Sequence, residues 1–428
     1  MTAALGAFSA HLEDLHSLLG RDPGGTSPKE TILSLENMMR ESVGDQLSGL
    51  SSQLFHTERG LLAAMKGSID ASDRNSGTLR ELREAAFRTL EWCIEEYVDR
   101  LERPALIGEY ALPMADVCCY IFRRENFNRV RELAIHVLAA VVRDLREHTP
   151  DPRALSEHLF PAERSASGRR ELAAVDTFWN PLCGSEGSKL SPSVRGACMK
   201  MLGLLARAFP EEVRGEQIFK GGSRSQLYRL CAGVLRRETC EPKNPKAPEL
   251  VGALEALDGL MTESELNPDD VGMVLDRTQA CLNLVVVNEL KKFAAPRAAL
   301  HLLGRNMAVF AAESGASTTT GSPADSLLLD RAEVLWGLML PLSRHDNNYM
   351  RPLAQGVLWE FVHVLAAQTR DGARRPARAC PALWWRGDHS PPAPRSRCGA
   401  RNVATGTRAS DLRPLPARDQ RNDGGCRG

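Results

Sequence analysis

The chain has 428 residues with 54 basic and 54 acidic side chains, and its 43% hydrophobic content includes only 5% aromatics. A core built on Leu, Ala and Val favours helices over sheets. The neutrality hides a split. Residues 370–428 carry 13 Arg and no Lys against 5 Asp and no Glu (13 − 5 = +8), which leaves 41 basic and 49 acidic residues (−8) in residues 1–369. An acidic main body excludes bulk nucleic-acid binding, though not a local basic strip.

The first residues, MTAALGAFSAHLEDLHSLLG, hold His, Glu and Asp within their apolar stretch and make a poor signal peptide. His11 and His16 are five apart, off a common helical face, and read as a solvated helix surface. Helix periodicity is clear from Leu79 onward, where Leu79, Leu82, Ala86, Leu90, Ile94 and Tyr97 share one face. Phe127, Val130, Leu133, Ala134, Val137, Leu138, Val141 and Leu145 form a face wide enough for burial on two sides. Ser191-Pro192 opens a helix carrying Val194, Met201, Leu202, Leu205 and Ala208, which closes before Pro210. Further helices are expected over residues 223–237, 248–261, 268–287, 295–312, 324–342 and 349–367. The connections EPKNPKAP and NPDD are rich in helix stops and N-caps. The stretch from Phe293 to Ala312 is the most apolar, but Arg297 and Arg305 make it a buried helix rather than a membrane span.

So many helices with short connections overfill a single bundle and predict an all-α, irregular helix-pair solenoid of the HEAT or armadillo kind, with pairs of about 40 to 47 residues. Residues 1–50 form N-terminal helices that resist assignment, and residues 51–369 form the solenoid. Residues 370–428, rich in Arg, Pro and Gly, have too little apolar surface to offset ordering entropy. They read as a disordered basic tail or, favoured by the abrupt change after Gln368, as a stretch translated beyond a true gene boundary. Glu313–Ser326 reads as a solvated linker. An end of the array at residue 369 is expected to expose Phe361, Val364 and Leu365, which a further repeat would cover.

Chemistry is sparse. Eleven Cys occur without a CxxC pair, and adjacent Cys118 and Cys119 suit neither a tetrahedral metal nor an easy mutual disulfide, so buried free thiols are expected. The phosphate-loop, dinucleotide, zinc-protease, nucleophile-elbow and protein-kinase motifs are all missing, and no catalytic, metal or cofactor site is expected. Basic pairs recur near helix ends: Arg123 with Arg124, Arg143 with Arg146, Arg236 with Arg237, and Lys291 with Lys292. In a solenoid such pairs could line one wall and track a phosphate backbone. The competing reading is that they offset helix dipoles and cap carbonyls.

LKKFAAPRAAL (Leu290 to Leu300), followed by HLLGRNMAVFAA, resembles a stretch of the N-terminal helical-repeat arm of the DNA-dependent protein kinase catalytic subunit, of the phosphatidylinositol-3-kinase-related kinase group. SSQLFHTERGLLAAMKGSI, LRELREAAFRTLEWCIEEY, LSPSVRGACMKMLGLLARAFPEEV, APELVGALEALDGLM and NNYMRPLAQGVLWEFVHVLAAQT are similar to further pieces in the same order, so the resemblance covers residues 51–369. It implies a scaffold arm of a nuclear serine/threonine kinase, without catalytic activity of its own. Such an arm cradles double-stranded DNA ends presented by the Ku heterodimer during non-homologous end joining and joins the remainder of the kinase chain. By motif, Lys291 and Lys292 carry over as basic positions and Pro296 as a helix-start proline. The alternative is a stand-alone helical-repeat adaptor that binds a protein without reference to DNA.

Overall fold

The computed structural model describes residues 2–19, 27–42, 45–100, 102–161, 174–183, 190–214, 216, 218–221, 225–240, 247–263, 268–288, 294–312, 328 and 331–370, all within one unit, Met1–Pro381. Among them every regular element is helical, and the chain is an all-α solenoid.

The helices are α1 (Thr2–Ser17), α2 (Pro28–Glu41), α3 (Asp45–Leu54), α4 (Leu61–Asp70), α5 (Gly77–Glu95), α6 (Ala105–Gly108), α7 (Ala111–Arg124), α8 (Asn128–Ala140), α9 (Pro152–Leu159), α10 (Ala174–Cys183), α11 (Pro192–Ala208), α12 (Pro210–Val213), α13 (Gln226–Cys240), α14 (Ala247–Glu263), α15 (Pro268–Asn288), α16 (Ala294–Arg305), α17 (Met307–Ala312), α18 (Ala332–Ser343) and α19 (Met350–Arg370). Their packing is that of stacked hairpins. The pairs α1/α2, α4/α5, α7/α8, α10/α11, α13/α14, α15/α16 and α18/α19 each close on themselves. The second members then stack in chain order, α2 on α5, α8, α11, α14, α16 and α19, and form one layer. The first members form the other, with α4 on α7, α7 on α10, α13 on α15 and α15 on α18. The first hairpin, α1/α2, packs on its neighbour in the same way as the later ones.

Local chemistry sets these helices. Ser76, Asp151 and Ser191 accept hydrogen bonds from the backbone N–H three residues on and so cap α5, α9 and α11. Pro at the first turn opens α2, α9 and α11, where its missing N–H costs nothing. The expected face of α5 is buried in full, from Leu79 to Tyr97. On α8, Ile135, Ala139 and Ala140 are buried beside the expected face, so two sides are covered. Both helices end in a π turn, Glu96–Arg100 and Val141–Leu145.

The tightest packing joins α11 to α14. A methyl group on Gly196 would overlap the Pro248 carbonyl, and one on Gly252 would overlap the Gly196 backbone. Seven residues further along both helices, Gly203 and Gly259 stand in the same relation. Gly196 meets Gly252 and Gly203 meets Gly259, so the helices run parallel, in register over about 10.5 Å. Three ion pairs flank the contact in the same order: Arg195–Glu249 at 3.0 Å, Lys200–Glu255 at 3.0 Å and Arg207–Asp258 at 2.7 Å.

Two expectations need correction. The helix expected over 295–312 breaks at Asn306, which is buried. Its side-chain Nδ2 donates to Asp258 Oδ1 at 2.8 Å and to the Leu302 carbonyl at 2.9 Å, while its backbone N–H still reaches the Leu302 carbonyl at 3.1 Å, so the interruption is a single turn residue. On α19, of the three residues expected to be exposed, Phe361 is buried against the array while Val364 and Leu365 are half-buried, and Trp359 and Val362, 67% and 42% exposed, take the outward positions. The expectations for Glu313–Ser326 and residues 371–428 lie outside the described residues.

Gly252→Val is expected to lower stability by about 3 kcal/mol through overpacking of backbone against backbone. Gly356→Ala, in an open helical position with nothing within 4 Å, is expected to raise it by about 0.5–1 kcal/mol. Urea unfolding followed by circular dichroism measures both.

Candidate docking surface

Polar links between neighbouring hairpins share one spacing along the chain. Lys66 meets Asp116 (50 residues on), the Tyr120 hydroxyl donates to Asp70 (50), Arg123 to Thr177 (54), Arg195 to Glu249 (54), Lys200 to Glu255 (55), and Arg331 to Asp276 (55). With Thr89 donating to Glu36 (53) and Arg305 to Asp258 (47), each hairpin is tied to the next, as a quasi-one-dimensional stack requires.

Two ties along the stack are buried hubs. The Arg83 guanidinium is fully buried. It donates from Nε to Glu125 Oε2 at 2.7 Å, from Nη1 to the Ser68 carbonyl at 3.0 Å, and from Nη2 to the Arg74 carbonyl at 2.8 Å. Glu125 Oε1 accepts the backbone N–H groups of Asn126 and Phe127 at 2.7 and 3.0 Å, at the entry to α8. Burial lowers the Arg83 pKa, and the Glu125 charge opposes that shift. The second hub is Asp258 on α14. Its Oδ2 meets Arg207 of α11 at 2.7 Å and Arg305 of α16 at 2.8 Å, and its Oδ1 accepts from Asn306. One carboxylate thus joins three successive helices of a layer.

The basic positions picked out in the sequence separate by use. Arg123 and Arg124 end α7. Arg123 Nε donates to Thr177 Oγ1 of α10 at 2.9 Å. Arg124 pairs with Asp70 of α4 at 2.5 Å and lies over the Tyr120 ring, 4.2 Å from its centroid. Arg143 pairs with Asp144 at 2.6 Å, and Arg146 donates to the Ala208 carbonyl and lies over Phe209. Arg236 and Arg237 close α13. Arg237 lies 3.4 Å from Glu238 and 3.6 Å from Glu249, whereas Arg236 is exposed. Lys291 and Lys292 lie outside the described residues, and Pro296 is buried near the start of α16. Arg123 and Arg124 on α7 and Arg236 and Arg237 on α13 belong to one layer, whereas Arg143 and Arg146 lie in the turns that follow α8 in the other. The sequence reading missed the Arg83 and Asp258 hubs, because a partner about 50 residues away is visible only once the hairpin register is known.

No concentrated chemistry interrupts this surface. Among the described residues, no group of three or more His, Cys, Asp or Glu side chains has the placement of a metal site, and no helix is long and apolar enough to cross a membrane. Cys93, Cys118, Cys119, Cys198, Cys231 and Cys281 are buried free thiols. Burial pushes Cys119, Cys198 and Cys281 up to about 12, so their reactive thiolates are scarce at neutral pH.

Stacked hairpins with long polar surfaces define a helical-repeat scaffold. The chain matches the family model described as DNA-PKcs, N-terminal, over residues 49–377, and it belongs to that family. No curated protein matches it.

Two outcomes test this site. Glu125→Gln leaves a buried arginine without its counter-charge and is expected to cost about 3–5 kcal/mol in chemical unfolding. Short treatment of the native protein with a thiol-alkylating reagent, mapped by mass spectrometry, is expected to modify exposed Cys183 and to spare the six buried thiols until denaturant is added. Labelling of Cys118 and Cys119 at the rate of Cys183 would contradict that burial.

Proposed function

We propose that this chain serves as the N-terminal scaffold arm of a DNA-dependent serine/threonine protein kinase. In this reading it docks double-stranded DNA ends and the Ku heterodimer in the nucleus during double-strand break repair by non-homologous end joining. The single observation that carries the reading is the family match over 49–377, most of the stacked array. The chain's part is to hold and position, and phosphate transfer belongs to another part of the kinase.

The physical arrangement supports that division. A stack tied hairpin to hairpin presents extended surface to a long partner, and among the described residues its buried thiols and paired carboxylates supply no converging acid, base and nucleophile. Salt-sensitive attraction to phosphates requires cations outside internal ion pairs, and the array retains such cations, Arg236 among them.

The test is co-precipitation of the chain with Ku and blunt-ended duplex DNA. Retention that requires DNA ends, and falls when closed circular DNA replaces them, is the expected result. Retention of neither Ku nor DNA would remove this reading and leave that of a helical-repeat adaptor for another protein.

A further inference from the structure

The outer face of α13 differs from the ion-paired arginines described above. Gln226, Arg229, Gly233, Arg236 and Arg237 are its exposed side, whereas Leu227, Tyr228, Cys231, Ala232, Val234 and Leu235 are buried behind it. The helix contains three arginines and one acid, and that acid, Glu238, is 7% exposed. Asp270 of α15 touches α13, but it is engaged by the Tyr228 hydroxyl at 2.8 Å. Among the described residues, the Arg229 and Arg236 side chains have no carboxylate partner, in contrast to Arg124, Arg143, Arg195, Arg207 and Arg305.

The two free arginines are seven residues apart, two helical turns or about 10.5 Å, on one face. Gly233 lies between them, and a side chain there would meet nothing within 4 Å. The strip is therefore two unneutralised guanidiniums flanking a stretch of bare backbone, which lets a ligand approach the helix closely between them. Arg237, with its side chain 58% exposed, adds a third cation at the same end, although it is shared with Glu238 and Glu249.

We infer that the outer face of α13, through Arg229 and Arg236, is the place where this array contacts the phosphate backbone of duplex DNA. The inference rests on the proposed DNA-docking function and narrows it from several basic pairs to one helix. Arginine forks suit phosphate oxygens, and contacts of this kind position a duplex without reading its bases. Arg123, Arg124 and Arg146 hold neighbouring elements of the stack together instead, and Arg143 pairs with adjacent Asp144.

The test uses the full chain and a fluorescent blunt duplex, with anisotropy read across a salt series. R229A/R236A is expected to bind more weakly by about tenfold at moderate salt. The slope of log affinity against log salt should fall in magnitude by about 1.8, the effect of two lost phosphate contacts. R229K/R236K should keep most of the slope. R344A, which removes an exposed cation after α18, should leave affinity and slope unchanged. Wild-type-like binding by R229A/R236A would overturn this inference and leave the DNA-docking reading standing. Absence of binding by the wild-type chain would overturn both. Displacement of the duplex by poly-glutamate at equal charge concentration would assign the strip to acidic peptides and overturn the DNA assignment. Circular dichroism of each variant confirms that the exposed substitutions leave the fold intact.

Discussion

The packing of α11 on α14 is the closest contact between successive hairpins among the described residues. Four glycines, Gly196, Gly203, Gly252 and Gly259, let two parallel helices meet backbone to backbone. That contact admits no sliding, because each carbonyl rests where the opposing residue would need a Cβ. The ion pairs beside it repeat the same order along both helices, so shape and charge specify one register. From there Asp258 carries the alignment onward to α16, and at the other end of the layer Arg83 and Glu125 fix the step between the second and third hairpins. Each interface thus involves only adjacent hairpins, and stability is distributed along the stack rather than gathered in one core.

Much of the fold was legible in the sequence because helical periodicity is a local signal. The faces of α5, α8 and α11 follow directly from their three- and four-residue spacings, and the Ser191-Pro192 start fixes α11 without tertiary information. The break at Asn306 was not legible. The residues on both sides of it are good helix formers, and the buried side chain at the break is engaged by Asp258, 48 residues away. The glycines of α11 and α14 were equally silent, because a lone Gly in a helical pattern ordinarily means a small loss of propensity. Only the facing helix turns that loss into a close contact.

The candidate surface was less legible for an electrostatic reason. Basic pairs at helix ends look alike in a sequence, whether they hold the next hairpin or face solvent. Arg124 and Arg236 occupy similar places at the ends of their helices, yet one is held by Asp70 and Tyr120 and the other is exposed. An array with an overall acidic body can therefore neutralise many of its cations internally and still present a short positive strip. The strip's effect on a polyanion depends on local imbalance rather than on net charge. The proposed docking role rests on the family match, and the contrast between paired Arg124 and exposed Arg236 is what narrows the proposed contact to one helix.

Native-state hydrogen exchange resolved along the chain tests the stacked-hairpin account most directly. The account predicts the highest protection in α11 and α14 around Gly196, Gly203, Gly252 and Gly259, declining hairpin by hairpin toward α1 and toward α19, with separate opening free energies. A single opening free energy shared by every helix, with no maximum at the glycine contact, would contradict it.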